Sequence, residues 1–121
     1  MLSDNIIFIK KEIKKACLDI CRDPNEITLM GASKSQTIET IEKAFEGGIS
    51  HFGENYLQEA EAKIEATSKN IVWHFVGSIQ TRKTKKIAQL FDWVHTVESE
   101  KIADRLNEAR PKSNFSCEEL F

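Results

Sequence analysis

The apolar positions of this chain change period along its length. From Leu2 to Ile20 they recur at three- and four-residue intervals (Leu2, Ile6, Ile9, Ile13, Cys17, Ile20), which predicts an amphipathic helix from about Ser3 to Cys21, with Ser3 as its N-cap and Pro24 beyond its end. After it, short runs of apolar, β-branched or aromatic residues start near Ile27, Ile49, Ile71 and Trp93, each 22 residues after the last. Helical spacing follows every run. The stripes are Ile38, Ile41 and Phe45, then Leu57, Ala60 and Ile64, then Ile87 and Phe91, and last Ile102, Leu106 and Ala109. Gly47-Gly48 supplies a stop for the first of these helices, and Asn55 followed by Gln58 resembles a capping box that opens the second.

Strands alternating with helices of about ten residues define βα units and a parallel sheet. The pattern therefore predicts an α/β fold of repeated βα units, four parallel strands preceded by an N-terminal helix. Two architectures accept it: an open doubly wound sheet, or part of a (β/α)8 TIM-type barrel. Gly31-Ala32-Ser33-Lys34-Ser35 is neither a dinucleotide fingerprint nor a P-loop, which weighs against the open sheet. A whole barrel of such units needs on the order of 200 residues, so four units correspond to the first half of one. A fifth strand would fall near Phe115, but the stretch from Ser113 to Phe121 reads as a polar tail. The expected organisation is one domain over 1–121, with a leading helix (1–26), four βα units (27–111) and a divergent tail (112–121). Half a barrel leaves the edges of its first and last strands unpaired, so self-association is expected.

Composition narrows the function classes. A chain of 121 residues, 40% hydrophobic and 30% charged with a net charge of −2, is in the range of a soluble single domain and is not built for nucleic acid. The apolar run Ile6 to Ile9, followed by Lys10 and Lys11, is too short for a secretory or membrane segment, and a cytoplasmic protein is expected. Three cysteines make no disulfide framework: Cys17 and Cys21, four apart, read as buried thiols on one helical face, and Cys117 lies in the tail. His51, His74 and His95 lack the close spacing of a zinc site, so no metal is expected. Arg82, Lys83, Lys85 and Lys86 read as a solvated face.

In both architectures ligands bind at the carboxyl ends of the strands. Seven positions after each run begins stand Lys34, Tyr56, Ser78 and Glu100, with Glu54, Asn55 and Gly77 just before, so the repeat gathers polar groups on one rim. Helix N-termini point to that rim and favour an anion such as phosphate. A lysine there attacks an aldehyde as the free amine, giving a Schiff base, and pyridoxal 5'-phosphate is the obvious phosphorylated aldehyde.

The segments LMGASK, FEGGISHFGENYLQEAEAKI, WHFVGSIQTRK and FDWVHTVES, in that order and spacing, closely resemble the pyridoxal phosphate homeostasis protein family, whose fold is like the N-terminal barrel of alanine racemase, PLP fold type III. The resemblance covers about Ile27 to Pro111. It implies that Lys34 is the cofactor lysine, that Asn55 lies in the cofactor pocket, and that His74 and Gly77 belong to the third-strand motif, with Ser78 beside them. The implied function is pyridoxal phosphate binding through a Schiff-base lysine in vitamin B6 homeostasis, as a non-catalytic carrier or buffer with no partner but the small-molecule cofactor. The alternatives are a racemase-like enzyme, for which no opposite-face base can be assigned, and a truncated form that no longer binds the cofactor. This chain departs from the family pattern at Gln36-Thr37, where many relatives carry proline, at Arg82, commonly asparagine, and in length. Family chains are about twice as long and are monomeric by expectation, and their other half supplies the loops that grip the phosphate.

Overall fold

The computed structural model describes residues 2–110. The chain runs α1 (Leu2–Asp19), a 3-10 turn (Pro24–Glu26), β1 (Met30–Ala32), α2 (Ile38–Glu46), β2 (His51–Glu54), α3 (Leu57–Ala66), β3 (Val72–Phe75), a second 3-10 turn (Thr81–Lys83), α4 (Thr84–Leu90), β4 (Trp93–Val94) and α5 (Glu100–Ala109). The strands form one parallel sheet in the order β1-β2-β3-β4. This is the expected α/β fold of four βα units behind a leading helix. The tail from 112, with Cys117 and Phe115, lies outside the described residues.

The first three strands open a little later than the apolar runs that announce them, and the fourth opens with its run at Trp93. Met30, His51, Val72 and Trp93 begin the strands, because the residues before them serve the connections. Ile27 closes the first 3-10 turn through its N–H to Pro24 O, Ile49 donates to Ala44 O at the end of α2, and Ile71 donates to Ser68 O. Ile49 and Ile71 are buried all the same. Gly48 adopts φ +107 after α2, a left-handed conformation that glycine takes without cost, so the Gly-Gly stop works as expected.

The helices α2 to α5 cover one face of the sheet. Ile41, Phe52, Trp73, Phe75, Ile87 and Leu106 are among the buried residues that make this core, and Phe75 meets Phe91 edge-on. Of the helical stripes expected from spacing, Ile41, Ala60, Ile87, Phe91, Ile102 and Leu106 are buried in it, while Ile38 is exposed.

Four local expectations fail. Leu2 is already helical, so Ser3 lies inside α1 and does not cap it. Of the α1 stripe Ile6 and Cys17 are buried and Leu2 and Ile13 half-buried, but Ile9 and Ile20 are exposed, since the helix touches the domain along a narrow line beside α2 and the first 3-10 turn. The helix stops at Asp19, so Cys21 falls beyond it, at φ +57, and is exposed; it does not share the burial of Cys17. Finally, Tyr56 takes the N-cap position of α3 and no side chain caps it, so Asn55 does not open a capping box. The backbone of Asn55 is instead committed to the chain beside it, as the site shows.

Candidate functional site

The parallel ladder continues past the strands and lines up their carboxyl ends. Ser33 N–H donates to Gly53 O, Val76 N–H to Glu54 O and His95 N–H to Phe75 O, at 2.9–3.1 Å. Lys34, Asn55 and Gly77 therefore all follow directly on paired backbone at one rim. Gly77 has a strict reason to be glycine: a Cβ there would stand 2.3 Å from Asn55 O. The two loops are in backbone contact, and only hydrogen fits between them.

That approach shapes a cleft of about 490 Å³ lined by Asn55, Tyr56, Leu57, Gln58, Phe75, Gly77, Ser78, Gln80 and Lys83. It sits at the N-terminus of α3, where the uncapped amides of the first turn favour negative charge. Of the residues expected to form a site, Asn55, Gly77 and Ser78 meet in this cleft. Lys34 does not line it; it stands exposed on the neighbouring loop after β1. Charge patterning groups Lys83 with a solvated basic face, yet it lines the cleft, whereas Lys86 in the same run pairs with Glu61 at 2.6 Å. Amide, hydroxyl and ammonium groups beside an aromatic wall are a donor set that suits a small phosphorylated aromatic ring, so the residues present fit pyridoxal phosphate.

The loop that bears Lys34 is a tight turn. Gln36 N–H donates to Ser33 O at 3.0 Å, and Ser35 sits at φ +63, a region that non-glycine residues enter at a cost of about 1 kcal/mol or more. Beneath the turn lies a charged cluster. Glu54 is fully buried and Lys63 nearly so. The Lys63 ammonium donates to Ser33 O at 2.7 Å, to Glu54 Oε2 at 3.1 Å and to Glu59 Oε1 at 2.7 Å. The Ser33 hydroxyl donates to Glu54 Oε2, and Glu59 Oε1 also accepts from Ser35 N–H at 2.8 Å. Those donated bonds hold the Glu59 carboxyl below the usual carboxylate range.

His74 is not in the cleft. It lies on the face of the sheet away from the helices, between two other imidazoles: His51 Nδ1 is 2.9 Å from His74 Nε2, and His74 Nδ1 is 2.9 Å from His95 Nε2. The Trp93 ring stacks on it at 5.9 Å. Burial, with His51 and His95 on either side, pushes His74 down to about 4 from an ordinary 6.5. The ring nitrogens face one another and do not converge, and no group of three metal-ligating side chains is found among the described residues. Spacing in sequence concealed this chain of rings, since the three histidines are brought together by strand register. A reading of His51, His74 and His95 as same-face positions on adjacent strands, diagonal to one another because His74 pairs with Gly53 and Trp93, would have found it.

No protein-family profile matches the chain. It is 56% identical over 90 residues to the pyridoxal phosphate homeostasis protein of Buchnera aphidicola subsp. Acyrthosiphon pisum, covering 73% of this chain and 45% of that one, and 42% identical over 113 residues to the protein of that name from Haemophilus influenzae, covering 91% and 48%. The chain's curated relatives are pyridoxal phosphate homeostasis proteins. It spans about half the length of those it matches. Among solved structures, PipY of Synechococcus elongatus PCC7942 with PLP bound matches at a TM-score of 0.68 and 30% identity, covering 90% of this chain and 48% of PipY. A protein of unknown function from Bifidobacterium adolescentis matches at a TM-score of 0.76 and 24% identity, a likeness of fold. Beside these homeostasis proteins the four βα units read as half of a TIM-type barrel, and the His51–His74–His95 face is the one that would look into it. Among the described residues no helix is long and apolar enough to cross a membrane.

Proposed function

We propose that this chain binds pyridoxal 5'-phosphate at the carboxyl rim of its sheet, with Lys34 as the Schiff-base lysine, and serves cofactor homeostasis in the cytoplasm as a carrier with no reaction of its own. One observation carries the reading: the Asn55–Gly77 contact opens a polar cleft at the α3 N-terminus, one strand away from the Lys34 turn, in a chain related to PipY, which is solved with PLP bound.

When bound, the cofactor supplies an aldehyde that condenses with a free amine with loss of water. The chain's own residues divide the remaining work. Lys34 brings a primary amine on an exposed loop, open to a ligand from solvent. Asn55, Ser78 and Gln80 offer hydrogen-bonding groups, Phe75 and Tyr56 offer ring surface, and Lys83 with the first turn of α3 offers positive charge to an anion. His74, held between two rings behind this rim, supports the sheet and does not reach the cleft.

The test is chemical. Pyridoxal phosphate is added to the purified chain, the product is fixed with borohydride, and the pyridoxylated lysine is mapped by mass spectrometry. Labelling concentrated at Lys34 and abolished in Lys34→Ala is the expected result. Labelling spread evenly over Lys10, Lys83 and Lys86 would overturn the assignment.

A further inference from the structure

We infer that Lys63 and Glu59, with Glu54 behind them, are positioning residues for Lys34: they form a clamp, buried at Lys63 and Glu54 and partly exposed at Glu59, that holds the Ser33–Gln36 turn in the one conformation that presents the Lys34 amine. The inference rests on the reading of Lys34 as the cofactor lysine.

The clamp grips the backbone on both sides of Lys34 and leaves the side chain itself alone. On one side, Ser33 is held three times, its carbonyl by Lys63, its hydroxyl by Glu54 and its N–H by Gly53 O. On the other, Ser35 is held by its N–H to Glu59. Ser35 is also the residue with φ +63, so the bond from Glu59 falls on the strained position, where a free turn would relax. The two grips are joined, because Glu59 and Lys63 stand one helical turn apart on α3 and bind each other.

A merely stabilising role accounts poorly for the cluster. Buried ion pairs repay their desolvation only when every polar atom finds a partner, and apolar residues of similar volume commonly do as well. Here Glu54 Oε1 is buried with no hydrogen-bond partner among the described residues. What apolar residues could not do is bind a carbonyl and an amide two residues apart. The charged groups are spent on the geometry of one turn, and that turn carries the candidate lysine. A misplacement of about 1 Å at a reacting group commonly costs on the order of a hundred-fold in rate.

The experiment compares the rate of borohydride-fixed pyridoxylation at Lys34 in the intact chain with the rates in Lys63→Met, Lys63→Arg and Glu59→Ala, alongside amide hydrogen exchange at Ser35 and Gln36 without ligand. Glu59 is partly exposed, so Glu59→Ala is expected to fold even if Lys63→Met does not. The clamp predicts Lys34 labelling slowed between about ten- and a hundred-fold in Glu59→Ala and in folded Lys63→Met, faster exchange at Ser35 and Gln36, and partial rescue by Lys63→Arg. Adding Ser35→Gly to Glu59→Ala lets the turn adopt its left-handed residue without strain while Lys63 still holds Ser33 O, and is expected to restore part of the labelling. Wild-type labelling at Lys34 that is unchanged in folded Glu59→Ala overturns the clamp while leaving the cofactor reading in place. Absence of selective Lys34 labelling in the wild type overturns the cofactor reading and, with it, the role assigned to the clamp.

Discussion

The helix-covered face of the sheet and its open face are built from the same four strands, and they handle burial in different ways. On the covered face Phe52, Trp73 and Phe75 pack against Ile41, Ile87 and Leu106, apolar against apolar, and the buried charges Glu54 and Lys63 pair with each other, Glu54 also accepting from the Ser33 hydroxyl. On the open face the buried side chain is His74, and its neighbours across the strands are His51, His95 and Trp93, which is 41% exposed. The first arrangement excludes water and carries the stability. The second is a row of polar rings that hydrogen-bond one another. The two faces meet at the carboxyl rim, where the candidate site lies.

The comparison breaks most readily at the core. Leu106→Ala removes a fully buried side chain from the covered face and is expected to cost about 2–5 kcal/mol in a urea or thermal melt. Trp93→Ala on the open face should cost no more than about 1.5 kcal/mol, the worth of a stacked ring pair. Equal losses would mean that the open face is as much a part of the core as the other. At the rim, Gly77→Ala drives a methyl into Asn55 O and forces the two loops apart; a loss of about 1–3 kcal/mol is expected, together with weaker pyridoxal phosphate retention in equilibrium dialysis. Retention unchanged in a folded Gly77→Ala would remove the Asn55–Gly77 cleft from the site.

Acid acts on the open face. His74 titrates near 6.5 when unfolded and at about 4 when folded. Between those values the unfolded chain holds a proton that the folded chain does not, so the contribution is complete above about pH 6.5 and is lost as pH falls toward about 4. The full shift is worth about 3 kcal/mol, and the solvent that still reaches the ring lowers the expected effect to between about 1 and 3 kcal/mol in a urea melt. In His74→Gln the same window should flatten, whereas the response of the covered face below it, where Glu59 gives up its depressed ionisation, should persist.

Much of the fold and part of the site are legible in the sequence. The 22-residue recurrence and the 3.6-residue stripes announce four strands and the helices that cover them, because period reflects which face of an element must leave water. The same recurrence brings Lys34, Asn55, Gly77 and Ser78 to one end of the sheet. It is less reliable at element ends: spacing misplaces Ser3, Asn55 and Cys21, because a cap depends on where the backbone turns, and that is settled by neighbouring chain.

What the sequence determined by itself was the order of the elements, their apolar faces and the kind of residue at each strand end, all of which depend on neighbours within a few positions. Tertiary structure decided the rest. His51, His74 and His95 became a hydrogen-bonded row only when parallel register set them side by side. Lys63 and Glu59, which on an isolated helix would be one more solvated i,i+4 pair, bind the Lys34 turn only because β1 and β2 brought it down over them. Interactions of that kind join residues 20 to 30 positions apart, and no local period encodes them.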